Sequence, residues 1–188
     1  MIPLTKFLEV SSASHIVYVY EDKRYYIENL ISYIKAGIER DHHLLIIENP
    51  TIYQEAEGMI SELFSNEQQK RIHYVDNHSF YGYHRDFHVH SIVEHFGKIL
   101  EPFFKDNIII RTWAHVEWKN QDGISSKIEE FENLADCSVD EMGIMSVCAY
   151  TATDITASLQ NTLMRSHEYL MTDKEFVRST FYGIPSNN

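Results

Sequence analysis

Histidine is the side chain best suited to bind metals or move protons near neutral pH, and this chain concentrates it. His73, His78, His84, His88, His90 and His95 fall in one stretch. On a helix His84 and His88, four apart, share a face and could hold a metal. A metal site needs a third or fourth ligand, and Asp86 and His90 would point elsewhere on that helix. No HExxH accompanies them. The stretch is read as a solvated or aromatic-packed loop, and no metal and no other cofactor is expected. Glu48 and Glu117 suit acid–base work or hydrogen-bond acceptance, provided they converge in a cleft. Otherwise each is a solvated strand-end carboxylate or a partner for Arg111. Ser166-His167, with Asp154 nearby, has the members of a hydrolytic triad, but no GxSxG turn presents the serine. His167 is expected instead to anchor the last helix through a ring hydrogen bond. No catalytic residue is assigned.

Aromatic residues offer a different chemistry. Tyr18, Tyr20, Tyr81, Tyr83, Trp113, Trp118 and Tyr150 all fall on or near predicted strand ends. Tyr and Trp bring an apolar body and one hydrogen-bonding tip, which suits a small-molecule pocket. The alternative is that the rings only fill the core, which is preferred for Tyr18 and Trp113. Strand alternation puts Tyr18 and Tyr20 on one face and Val17 and Val19 on the other.

The elements that must position these residues follow from hydrophobic pattern. Apolar runs at 15–20, 43–48, 71–75, 107–113 and 144–150 read as strands, with a short sixth at 168–171. Between them lie helical patterns. Residues 22–40 carry Ile27, Leu30, Ile31, Ile34 and Ile38 on one face. Further helices are expected at 51–64, where Thr51 can cap, and at 88–104, 124–135 and 155–165. Residues 77–86, with Gly82 at the centre, read as a loop. Strand–helix alternation implies an α/β three-layer sandwich with a mostly parallel sheet. Ligands then bind beyond the carboxyl ends of the strands. The candidate ligand-binding set is Tyr20, Glu21, Glu48, His78, Tyr81, His115, Glu117, Trp118 and Tyr150.

Several segments are similar to the MEDS domain, the sensory domain named for methanogens, methylotrophs and the dichloromethane-responsive regulator DcmR. These are HIVYVYED from His15, AGIER, HLLIIEN, Arg111 to Trp118, IEEFENL, MSVCAY and LMRSHEYLM. The resemblance implies a RecA/KaiC-like fold without the phosphate loop. It also implies a sensory or regulatory role, with binding of a small molecule or a protein partner. One departure is that His115 stands where the family tends to carry an acidic residue, four positions after the strand arginine. The residues agree on the missing loop. A GxxxxGK[ST] cradle needs backbone N–H groups and a lysine, whereas this junction reads EDKRYYIENL with no glycine. Glu21 and Asp22 would repel phosphate there. The rival readings are an enzyme, with or without a metal, using His115, Glu117 and the His/Tyr-rich loop, and a degenerate nucleotide-binding module that holds a nucleotide without hydrolysing it.

Composition bounds the partners. With 188 residues and 44% hydrophobic content the chain suits one globular domain. It is divided here into an extension at 1–14, a domain at 15–173 and a tail at 174–188. The net charge of −12 and the lack of a basic run argue against direct nucleic-acid binding. The 11 histidines would bring the charge near neutral at about pH 5, where solubility should fall. Cys137 and Cys148 form no CxxC pattern, and Cys148 lies in an apolar run. No apolar stretch is long enough for a membrane span, and a cytoplasmic location is expected. No helix-turn-helix or kinase segment is present, so output should pass through another protein or self-association. The apolar residues Phe176, Val177, Phe181 and Tyr182 should pack on the body or on a partner.

Overall fold

The computed structural model describes residues 13–83, 86–119 and 123–185. Most of the extension at 1–14, and His84 of the His84/His88 pair that is not expected to hold a metal, lie outside that range. The seven strands are β1 (Ser14–Tyr20), β2 (His43–Glu48), β3 (Ile72–Asp76), β4 (Ile110–His115), β5 (Met145–Thr151), β6 (Tyr169–Met171) and β7 (Phe176–Arg178). They form one sheet in the order β3-β2-β4-β5-β1-β6-β7. All neighbours are parallel except the last pair.

Among the described residues seven α-helices connect the strands. They are α1 (Lys23–Ile38), α2 (Pro50–Leu63), α3 (Asn66–Gln69), α4 (Asn77–Tyr81), α5 (Val89–Lys105), α6 (Ile124–Met142) and α7 (Ala157–Ser166). Side chains alternate across each strand, so the sheet buries two separate cores. Ile16, Tyr18, Leu44, Ile46, Trp113 and Val147 meet α1 and α2 on one face. Val17, Leu45, Ile47, Ala114 and Cys148 meet α4, α5, α6 and α7 on the other. This is the expected three-layer sandwich. Among the described residues no helix is long and apolar enough to cross a membrane.

Local chemistry moves several expected boundaries. The cap of α2 is Asn49, not Thr51, because Pro50 fits the first helical turn and shifts the cap upstream; the Asn49 side chain accepts from Thr51 N–H. Residues 77–81 are helical rather than loop, because the Asp76 carboxylate accepts the N–H groups of His78 and Ser79. Gly82, at φ 65°, then ends that turn. β4 begins at Ile110 rather than Asn107. Asn107 adopts a positive φ, and Ile108 N–H closes the end of α5 onto Phe103 O. α6 runs on past Ala135 to Met142, where Gly143 takes the left-handed conformation.

The boundary drawn at Lys174 falls inside a hairpin. β7 pairs antiparallel with β6, and Phe176 stacks on Tyr169 at 5.0 Å. Ser179 N–H donates to Glu168 O at 2.8 Å, and Gly183 N–H donates to Arg165 O at 3.0 Å. The tail thus packs on the body as an edge strand and a latch across the end of α7. Deleting residues 174–188 should leave a cooperative fold on the other six strands. The lost hydrogen bonds, together worth about 3 kcal/mol, should lower Tm by roughly 6–12 °C. Thermal denaturation followed by circular dichroism reads both; loss of the transition would show that the hairpin is required for folding.

Candidate functional site

Three of the parallel strands end in a residue whose side chain turns toward the α1 face. Tyr20 closes β1, Glu48 closes β2 and His115 closes β4. The sheet order brings these ends together, although up to 95 residues separate them in sequence. Glu48 is fully buried. Its Oε1 lies 2.6 Å from His115 Nδ1 and accepts Asn49 N–H at 2.7 Å. Its Oε2 accepts the Tyr26 hydroxyl, whose oxygen in turn accepts Trp113 Nε1–H at 2.8 Å. Because Nδ1 faces a carboxylate, it carries the proton, and the far nitrogen Nε2 meets the Tyr20 hydroxyl at 3.0 Å.

A second carboxylate stands above this pair. Glu117 Oε2 accepts from Asn77 Nδ2 at 2.8 Å and Asn49 Nδ2 at 3.0 Å, and lies 3.2 Å from His78 Nε2. Burial alone would lower the His115 pKa, but the charge and hydrogen bond of Glu48, with Glu117 behind, outweigh it and hold the imidazole above its usual 6.5. Burial would raise Glu117, yet His115, the two amides and His78 keep it below the usual 4.5. Asp154 is raised, by burial and then by the Glu117 charge. The site therefore sets an imidazole between two carboxyl groups at the carboxyl edge of the sheet.

The start of α1 shows a further feature. The Asp173 carboxylate, in the β6–β7 turn, accepts Glu21 N–H at 3.1 Å and Asp22 N–H at 2.9 Å through Oδ2. Its Oδ1 accepts the Tyr18 hydroxyl at 2.7 Å. A protein carboxylate thus sits on the backbone donors where a helix N-terminus would otherwise attract an anion. Beside it a groove of about 890 Å³ is lined by Glu21, Asp22, Tyr25, Asp173, Lys174 and Glu175. Ala152 and Ile155 also line it and flank Asp154, whose charge acts on His115 and Glu117.

Of the nine residues singled out by sequence, Tyr20, Glu48, His78, His115 and Glu117 form this cluster, and Glu21 lies on the groove rim. Tyr81, Trp118 and Tyr150 do not join them. They belong to the opposite face, where Tyr81 packs on Phe87 and Phe131, and Trp118 meets Tyr150 at 5.9 Å. Alternation explains the split, since Tyr150 pairs in register with Val19 rather than Tyr20. Arg111 partners neither glutamate; it sits at the amino end of β4 and donates to His42 Nδ1 at 2.8 Å. His167 does anchor α7, through Nδ1 to Leu163 O at 2.8 Å. Sequence reasoning missed Tyr26, Asn77 and Asp173 as members of the site. Asn77 follows a strand-end aspartate and was visible in outline; Asp173 carries no local signal.

The family model described as MEDS, the methanogen/methylotroph, DcmR sensory domain, matches residues 14–168. Solved structures that share the fold include the following two. The KaiC-like protein PH0186 from Pyrococcus horikoshii OT3 aligns with a TM-score of 0.58 at 12% identity, covering 86% of this chain and 71% of its own. An ATPase domain aligns with a TM-score of 0.54 at 7% identity, covering 85% and 69%. At these identities the likeness is one of fold alone. No curated protein matches the chain.

The pH dependence of the cluster has a definite sign. A raised His115 pKa contributes stability that is complete below 6.5 and is lost as pH rises through the folded value. A lowered Glu117 pKa contributes stability present above 4.5 and lost as pH falls through its folded value. In an NMR titration His115 should remain protonated above pH 6.5. In Glu48→Gln, where burial meets less opposing charge, its pKa should drop. An unchanged His115 titration in that variant would show that Glu48 does not control it.

Proposed function

The chain belongs to the MEDS family, and from that premise we propose that it is a non-catalytic sensory domain for a small neutral or cationic molecule. The ligand binds at the carboxyl edge of the sheet, between the Glu48–His115–Glu117 cluster and the adjoining groove. The event passes to a protein partner or a second copy of the chain. The observation that carries this reading is the Asp173 carboxylate on the backbone donors that open α1. It occupies the position an anion would need, and Glu21, Asp22 and Glu175 surround it with further negative charge. A phosphorylated ligand is disfavoured there, whereas a ligand carrying N–H or O–H donors finds acceptors. Val177, Phe181, Tyr182 and Ile184 remain exposed on the tail, which supports an output through protein contact. We assign the protein to the cytoplasm, in keeping with its two free cysteines.

The Glu48–His115–Tyr20 chain favours one other reading, an acid–base enzyme. His115 is only 1% exposed, and the Tyr20 hydroxyl covers its outer nitrogen. A substrate proton would have to displace that tyrosine first. The sensor reading needs no such displacement.

Thermal shift measurements test the proposal. Magnesium ATP should leave Tm unchanged. A panel of neutral and cationic small molecules should contain stabilisers, adding ~2.7 kcal/mol at 100 times their dissociation constant. The effect should fall in Glu117→Gln, which keeps the shape and removes the charge. Stabilisation by ATP, or a panel with no stabiliser, would overturn the reading.

A further inference from the structure

The opposite face of the sheet carries a second polar cluster, at the other end of the strands. His15 is the second residue of β1, Cys148 lies in β5, Glu132 in α6, and His167 caps α7. All four are buried, and one donor atom from each lies within 4.8 Å of the others. His15 Nε2 is 3.4 Å from Cys148 Sγ and 3.8 Å from Glu132 Oε2. His167 Nε2 is 3.4 Å from Glu132 Oε2. A tetrahedral ion with bonds of about 2.0–2.3 Å holds its donors about 3.3–3.8 Å apart; these three spacings match, and the remaining ones, within 4.8 Å, would close by small side-chain movements on binding.

The outer atoms of the same side chains are already engaged. His15 Nδ1 meets Ser166 O at 3.0 Å and Asp136 Oδ1 at 3.1 Å. His167 Nδ1 meets Leu163 O at 2.8 Å. Both rings therefore carry their proton on Nδ1 and turn a lone pair on Nε2 inward. The Tyr150 hydroxyl donates to Glu132 Oε1, leaving Oε2 to face the cluster. This is the outer-shell pattern that orients metal ligands. The inward atoms Glu132 Oε2 and His167 Nε2 are buried without any hydrogen-bond partner. Two inward acceptors 3.4 Å apart need a positive charge between them, supplied by a shared proton or by a metal ion.

We propose that His15 Nε2, His167 Nε2, Cys148 Sγ and Glu132 Oε2 form a tetrahedral site for a divalent metal ion of the zinc class. Imidazole, thiolate and carboxylate are all ligands that zinc accepts. With the thiolate and carboxylate bound, the two positive charges are balanced inside the core. Binding forms four metal–ligand bonds and releases the thiol proton to solvent. Four protein ligands close the coordination sphere, so the ion is structural and ties β1, β5, α6 and α7 together. A surface depression of about 60 Å³ lies beside His15, lined also by Asp136, Asp140 and Glu168, whose charges draw cations toward this side of the cluster. The spacing is invisible in sequence, and the histidine-rich stretch that drew attention there contributes none of the ligands.

The full chain, stripped with a chelator and dialysed, is titrated with Co²⁺ and then Zn²⁺. One equivalent of cobalt should give the visible bands of a tetrahedral ion and a thiolate charge-transfer band in the near ultraviolet. Zinc should displace it and raise Tm by several degrees. The chain has two cysteines, so a charge-transfer band that persists in Cys137→Ser belongs to Cys148. That variant changes an exposed residue and should fold. His167→Gln should weaken cobalt binding at least tenfold. Absence of the band in folded wild-type protein, its loss in Cys137→Ser, or a Tm indifferent to zinc would overturn the proposal.

Discussion

A carboxylate with no solvent exposure must have its charge answered on the spot, and Glu48 sets that condition for one end of the molecule. Its partners arrive from three places: Tyr26 on α1, Asn49 at the head of α2 and His115 on β4, with Trp113, also on β4, joined through Tyr26. Each holds an element at a fixed distance from the end of β2. His115 then extends the network to Tyr20 and so to β1. Removing one member of such a buried pair costs about 3–5 kcal/mol, because the other charge is stranded. The network thus constrains the packing of α1 against the sheet as strictly as the apolar core beneath it. Apolar contacts specify burial, whereas the Glu48 network specifies registry and orientation.

The same end of the sheet shows that a shared fold does not fix the chemistry at its strand ends. The fold is similar to those of the KaiC-like protein and the ATPase domain. The β1–α1 junction here lacks the glycines that would bring backbone N–H groups around a phosphate. Asp173 takes over the donors that remain. An internal carboxylate is held at high effective concentration and needs no loop of its own, so it competes well with a phosphate from solution. The acidic rim of Glu21, Asp22 and Glu175 opposes any anion that approaches.

Much of this was legible in the residues. Alternation in HIVYVY put Tyr18 and Tyr20 together on the α1 face. The rule that sites form at carboxyl ends of parallel strands picked out Glu48, His115 and Glu117. The same rule failed for Tyr150 and Trp118, because lying near a strand end says nothing about which face a side chain takes until strand pairing fixes the register. Asp173 was illegible for a different reason. It acts across the sheet on backbone groups about 150 residues earlier, and such contacts leave no local pattern. Helix boundaries were missed where one side chain decided them, as Asp76 does for α4 and Asn49 for α2. The polar run at 136–142 also hides the last turns of α6, since only Val139 among them is buried.

The two ends of the molecule are joined by a short length of chain. His167 closes α7 on the α6 face, β6 follows at once, and six residues later Asp173 sits on the donors of α1. β6 contributes only three residues and pairs with β1 on one side and β7 on the other. The central strands are long and doubly paired, so they resist displacement, while β6 and β7 are held by few hydrogen bonds at the sheet edge. Local stability therefore falls from the centre toward this edge. A cation seated beside Asp173 would draw the carboxylate from Glu21 and Asp22 N–H, and the strain would fall on the β6–β7 hairpin rather than on β1. That hairpin also bears the exposed Val177. The least constrained strand pair thus lies between the groove and the apolar surface, where a binding event at one can alter the presentation of the other with the smallest cost to the fold.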